Sequence, residues 1–201
     1  MTPEPTESAK LKICLAGDEG VGKTSLVRRF VLSEFDERYL RTVGVVVYKR
    51  VVFLGPIRGK TYAANLTVWD VLGGAGFAGR YGDAYLTNAA GILAVCDLTR
   101  PETLQGLAAW FDRAKAAVGN VPAIILANKV DMTDHVRIKE DDMVEFRKRF
   151  DFPYMETSAK TGQNVGTAFA RLAEAALRAG LPAEGSPAVE SPRGSFQRPT
   201  E

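Results

Sequence analysis

Cysteine is scarce in this chain: Cys14 and Cys96 are the only two among 201 residues. Both lie inside apolar, strand-like runs, where they read as small core residues of a reducing compartment rather than as a disulfide framework. The single histidine, His135, falls in a polar loop and reads as a surface residue. No stretch approaches the ~18–20 consecutive apolar residues of a membrane span. Neither sign of charge dominates. Twenty-six Lys and Arg against 24 Asp and Glu leave a net charge of +2, which argues for neither nucleic acid nor a membrane surface as a partner. The opening Met1-Thr2-Pro3-Glu4-Pro5-Thr6-Glu7 is acidic and proline-containing, unlike a secretory signal, and it lacks the glycine that myristoylation needs. The expectation is a cytoplasmic, monomeric protein.

What is present is a regular alternation of strand-like and helix-like segments, long enough for one domain with a full core. Residues 1–9 are expected to form a flexible leader and residues 10–179 the folded domain. Residues 180–201, rich in Pro, Ser, Gly and charge, are expected to form a disordered tail. Apolar runs predict strands at Leu11–Ala16, Val43–Leu54, Thr61–Val71, Gly91–Cys96, Ala123–Ala127 and Tyr154–Glu156. The second and third are joined by Gly55-Pro56-Ile57-Arg58-Gly59, hence a hairpin. Helical spacing follows the first strand and recurs at Glu102–Val118, Lys139–Phe150 and Val165–Arg178. The last helix is expected to bury Ala168, Phe169, Leu172, Ala175 and Ala176. Strands separated by helices predict the α/β class: a six-stranded mixed sheet, one edge strand antiparallel, with helices on both faces.

The most specific motif is Gly17-Asp18-Glu19-Gly20-Val21-Gly22-Lys23-Thr24, which fits G-x-x-x-x-G-K-[ST]. Its glycines let consecutive backbone N–H groups face one anion-sized hollow. Lys23 reaches β- and γ-phosphates, and the Thr24 hydroxyl suits Mg²⁺. A strand before it and a helix beginning near Ser25 put the phosphates on a helix N-terminus. In such a sheet ligands bind beyond the carboxyl ends of the strands. Asp70 ends the third strand, where P-loop enzymes place a carboxylate that helps hold Mg²⁺. Taken alone, it also fits a turn or helix cap.

Asn128-Lys129-Val130-Asp131 follows the fifth strand. An ionised carboxylate only accepts hydrogen bonds, so Asp131 suits the N1–H and 2-amino donors of guanine, which adenine lacks. On its own the same tetrapeptide fits a solvated loop with an Asx-turn. Ser158-Ala159-Lys160 follows the sixth strand and is too short to carry meaning in isolation.

In this order and at these strand ends, the motifs resemble the Ras superfamily of small GTPases, and Glu156-Thr157-Ser158-Ala159-Lys160-Thr161-Gly162 is close to phrases of its Rab-like group. The likeness covers roughly Lys10 to Arg178. It implies binding of GTP and GDP with Mg²⁺. Glu19, Gly20, Val21, Gly22, Lys23, Thr24 and Ser25 would hold phosphates, with Tyr39 close by. Phe35 would pack on the base, Lys129 along it, and Asn128 would support loop and base. Ser158, Ala159 and Lys160 would complete the base site, with the Ala159 N–H on the guanine oxygen. Thr24, Thr42 and Asp70 would serve the metal, and the Gly73 N–H the γ-phosphate. Effectors and regulators would be met through residues 36–46 and 71–86.

The chain departs from the family in three places. The switch phrase D-[TV]-A-G-Q-[ED] becomes Asp70-Val71-Leu72-Gly73-Gly74-Ala75, so Gly74 stands where the water-positioning glutamine is expected. Glu19 introduces a long anionic side chain into the phosphate loop. No cysteine follows Cys96, so the prenyl anchor of Rab-like proteins is not expected. The catalytic set is thus Lys23, Gly73 and the altered Gly74, and slow intrinsic hydrolysis is the expectation. Arg38, Arg41 and Arg80 are weak candidate substitutes. The alternative is a non-hydrolysing, GTP-bound scaffold; an ATP-using P-loop enzyme is disfavoured by Asp131.

Overall fold

The computed structural model describes residues 4–36, 44–71 and 82–181. Six strands form one sheet in the order β2-β3-β1-β4-β5-β6: β1 Glu7–Ala16, β2 Val45–Ile57, β3 Lys60–Val71, β4 Gly91–Asp97, β5 Ala123–Asn128 and β6 Tyr154–Thr157. All neighbours are parallel except β2 and β3. Every residue of β4 and β5 is buried, as expected of central strands covered on both faces.

Four helices are present among the described residues: α1 Lys23–Leu32, α2 Pro101–Val118, α3 Glu140–Arg149 and α4 Val165–Gly180. Helices α1 and α4 share one apolar core, in which Phe30 stacks on Phe169. The core on the other face combines Leu104, Leu107, Trp110 and Phe111 of α2 with Met143 and Phe146 of α3. Each helix follows a parallel strand in the chain, so the loops that leave the carboxyl ends of β1, β4, β5 and β6 lie along one edge of the sheet. Three acids open α3 and three bases close it, matching the helix dipole at both ends.

Three boundaries differ from expectation. β1 starts at Glu7, and Glu7–Ala9 pair with Tyr62–Ala64, so part of the expected leader is strand. The added β3 edge supplies backbone partners that an isolated polar segment lacks. The hairpin turn is only Arg58-Gly59, both with positive φ, the two-residue geometry that matches strand twist. β2 therefore runs through Gly55-Pro56, with a register shift between Leu54 and Ile57. The proline is tolerated there because β2 is an edge strand. Finally, α4 continues through Gly180, with Leu181 as its cap packed on the core. Its buried face gains Val165, Ala173 and Leu177, while Ala175 is only half-buried.

Candidate functional site

Gly17, Gly20 and Gly22 have φ of 133°, 77° and 100°, values that side chains rarely adopt. A Cβ at Gly17 would lie 2.2 Å from the Val95 carbonyl, and one at Gly22 would lie 2.3 Å from Asn128 Nδ2. The loop is thus wedged between β4 and the Asn128 loop, and it delivers Lys23 and Thr24 onto the first turn of α1. Ser25 follows them, half-buried.

The Lys23 ammonium, 6% exposed, donates to the Gly17 and Asp18 carbonyls at 2.8 Å each. Burial lowers its pKa from 10.5 to about 8, against the pull of Asp70, Asp18 and Glu19. Phosphates would return the charge to Lys23 and raise that value. Binding of GDP to nucleotide-free protein is therefore expected to take up a proton between pH 8 and 9, and affinity to fall up to about tenfold over that unit. Calorimetry in two buffers of different ionisation enthalpy reads the uptake directly. Proton release, or none, would show the assignment to be mistaken. For stability the sign runs the other way. Between pH 8 and 10.5 the unfolded chain binds more protons, so this lysine's contribution to stability of the nucleotide-free protein rises with pH.

Thr24 donates its hydroxyl to Asp70 Oδ2 at 2.6 Å. Asp70 is fully buried, and its other oxygen, Oδ1, has no hydrogen-bond partner among the described residues. Burial pushes its carboxyl above the ordinary range, while the Thr24 hydroxyl and the Lys23 charge pull it down. A carboxylate oxygen without a described partner, beside a hydroxyl, suits a hard cation as a donor pair. Among the described residues no group of three His, Cys, Asp or Glu could hold a metal ion. One carboxylate and one hydroxyl suit Mg²⁺, which keeps waters and substrate phosphates as its remaining ligands.

Asn128 ties the site together. Its amide, 1% exposed, donates to the Val21 carbonyl at 2.8 Å. Its oxygen accepts from the Thr157 hydroxyl and the Ala159 N–H, both at 3.3 Å. Phosphate loop, β6 and the Ser158–Lys160 loop thus meet on one side chain. Asp131 accepts the Ser158 hydroxyl at 2.6 Å, and the same hydroxyl accepts the Thr161 N–H at 3.0 Å. One Asp131 oxygen is thereby oriented by the fold. Phe35 packs, half-buried, against the α1–α4 core. Tyr39, Thr42, Gly73 and Gly74 lie outside the described residues, as do Arg38, Arg41 and Arg80. His135 is exposed, as expected.

Three side chains at the site carry no motif signal. Arg29 of α1 donates Nε to the Ala159 carbonyl at 2.8 Å and also bonds the Lys160 carbonyl, so it ties α1 to the Ser158–Lys160 loop. Its guanidinium lies 5.9 Å from the Phe35 ring. Asp97, fully buried at the end of β4, pairs with Lys129 at 2.6 Å and with Arg100 at 3.0 Å. Burial alone would raise the Asp97 carboxyl, but Lys129 and both Thr99 donors outweigh it and hold it below the ordinary range. Arg100 reaches on to the Glu19 carbonyl at 3.0 Å. Asp97 ends an apolar strand as Asn128 does, and Asp70 stands one residue before the end of β3; that position was the signal available for it.

Residues 12–178 match the model of the Ras family. Similar proteins include the GTP-binding nuclear protein GSP1 of Encephalitozoon cuniculi, 38% identical over 163 residues that span 81% of this chain and 74% of that one. Ras-related protein Rab-27B of Homo sapiens is 32% identical over 175 residues, spanning 84% and 80%. Ras-related protein Rab-13 of Canis lupus familiaris is 33% identical over 163 residues, spanning 81% and 77%.

Proposed function

This chain belongs to the Ras family of small GTPases, and we propose that it is a Mg²⁺-dependent guanine-nucleotide switch with weak hydrolysis of its own. The observation that carries the reading is the convergence on Asn128: its amide joins the phosphate loop to the loop that orients Asp131. Lys23 and the N–H groups of the loop after Gly17 would hold the phosphates. Asp131 would accept from the guanine edge, and Phe35 would cover the ring. Thr24 and Asp70, with Thr42, would hold Mg²⁺, whose chemistry is to neutralise phosphate charge. Thr42 and Gly73 would respond to the γ-phosphate and so report its presence to partners at residues 36–46 and 71–86. The exposed Val45 and Val46 at the start of β2 offer apolar contact there.

Weak hydrolysis rests on Gly74 and Glu19. Phosphoryl transfer depends on positioning and charge stabilisation, and Gly74 has no side chain with which to orient water. Gly74→Gln is expected to raise the single-turnover rate, modestly because the anionic Glu19 remains and Leu72 stands where the family phrase has a small alanine. Tenfold would correspond to about 1.4 kcal/mol of barrier. The measurement is hydrolysis by GTP-loaded wild type and Gly74→Gln at matched Mg²⁺. A wild type as fast as a glutamine-bearing relative, and unmoved by the substitution, refutes the role given to Gly74. A wild type with no turnover at all favours the rival, a GTP-bound scaffold. We also propose a cytoplasmic location. Cys14 and Cys96 are buried and unpaired, and burial pushes both thiols up to about 12. No helix among the described residues is long and apolar enough to cross a membrane.

A further inference from the structure

We propose that Arg100 is a positioning residue of the phosphate loop: held by Asp97, it grips the Glu19 carbonyl and thereby aims the Gly20 N–H into the phosphate cradle. The proposal rests on the nucleotide reading above. Its geometric basis is one planar fork joining the end of β4 to the phosphate loop. Arg100 Nε donates to Asp97 Oδ2 and Nη2 donates to the Glu19 carbonyl, both at 3.0 Å.

The fork has a fixed base. Asp97 is fully buried, and its Oδ1 accepts the Thr99 N–H at 2.9 Å and the Thr99 hydroxyl at 2.7 Å. The backbone of Arg100 is pinned as well: its N–H donates to the Asp97 carbonyl at 2.8 Å, and its own carbonyl accepts the Thr103 hydroxyl at 2.6 Å. Little freedom remains in where the guanidinium points.

The consequence follows from peptide planarity. The Glu19–Gly20 bond is trans, since the described backbone has no cis peptide, so its C=O and N–H point in opposite directions. With the carbonyl turned to Arg100, the Gly20 N–H points away from Arg100, which leaves it free to face an anion held by the loop. Gly20 sits at φ 77°, and glycine accepts either sign of φ, so this peptide plane could turn over at small cost. Turned over, it would present a carbonyl oxygen to an anion. The bond from Arg100 selects the orientation that donates. A lysine could neutralise Asp97 but has no rigid fork to span both acceptors.

The test compares GDP with guanosine on the full chain freed of nucleotide. In Arg100→Ala and in Arg100→Lys, GDP affinity should fall at least tenfold, about 1.4 kcal/mol, while guanosine affinity stays within twofold. The ³¹P resonances of bound GDP should shift in both variants. Three results in the variants overturn the proposal. One is GDP affinity unchanged in Arg100→Ala. Another is guanosine affinity falling in proportion, which would mean that Arg100 acts through Asp97 and Lys129 on the base loop. The third is full GDP affinity in Arg100→Lys, which would reduce the effect to charge. If Arg100→Ala does not fold, Arg100→Lys decides alone. A wild type that binds GDP no better than guanosine overturns the nucleotide reading and this proposal together. A wild type that strongly prefers GDP, with variants that match it, overturns the proposal alone.

Discussion

Asp131→Asn is expected to lower GTP and GDP affinity by about 10³-fold or more and to raise preference for xanthine nucleotides. Asp131 accepts the Ser158 hydroxyl at 2.6 Å, which fixes the carboxylate plane and leaves acceptor capacity for two donors on one base edge. Guanine supplies N1–H and the 2-amino group. Asparagine keeps one acceptor and turns the other into a donor, which then faces a donor. Sites built to hydrogen-bond a substrate reject the mismatched analogue by roughly 10⁴–10⁵, because buried polar groups are left unpaired. A xanthine ring carries a 2-oxo acceptor that the new amide can satisfy. Competition by GTP, XTP and ATP on wild type and variant reads all three preferences. Equal competition by ATP and GTP in the wild type, or unchanged GTP affinity in Asp131→Asn, would show that another group reads the base. Ser158→Ala should give a smaller loss in the same direction, since it removes the orienting bond but not the acceptor.

Asn128→Ala should damage both nucleotide retention and stability, the second even with no nucleotide present. Its amide is 1% exposed and serves three partners: the Val21 carbonyl, the Thr157 hydroxyl and the Ala159 N–H. Truncation leaves buried groups unsatisfied, at about 1–3 kcal/mol each, and the two 3.3 Å bonds belong at the lower end. A total of about 3–4 kcal/mol is expected, or a fall in Tm of roughly 6–16 °C for a chain of this size. GDP dissociation should also accelerate, because the phosphate loop and the base loop lose their common tie. Thermal unfolding of nucleotide-free protein and release of a fluorescent GDP analogue measure the two effects. A Tm within 2 °C of wild type would show that the amide contributes recognition only. Gly22→Ala should resemble it in part, since the added Cβ would meet Asn128 Nδ2 at 2.3 Å.

The fold was legible in the sequence to within a few residues, and the reason is local. Runs such as Gly91–Cys96 and Ala123–Ala127 are apolar throughout because strands covered on both faces have no polar side to show. The misplaced boundaries fell where a neighbour decided the outcome. Glu7–Ala9 are polar or small and became strand because β3 offers them an edge. Gly55-Pro56 reads as a turn, yet a two-residue turn at Arg58-Gly59 closes the hairpin and β2 runs through the proline.

By itself the sequence determined which chemical groups this protein has and in what order: a G-x-x-x-x-G-K-[ST] loop, a strand-end carboxylate, an acceptor-only carboxylate after Asn128-Lys129, and a glycine where the family phrase has glutamine. Those features depend on residue type and short spacing, which the chain states directly. Only the tertiary structure decided which groups support one another. Val21 meets Asn128 across 107 residues, Arg29 meets Ala159 across 130, and Glu19 meets Arg100 across 81. None of these pairs shares a periodicity. They meet because the order β1-β4-β5-β6 sets the carboxyl ends of four parallel strands side by side, so that loops remote in sequence hydrogen-bond over one edge of the sheet.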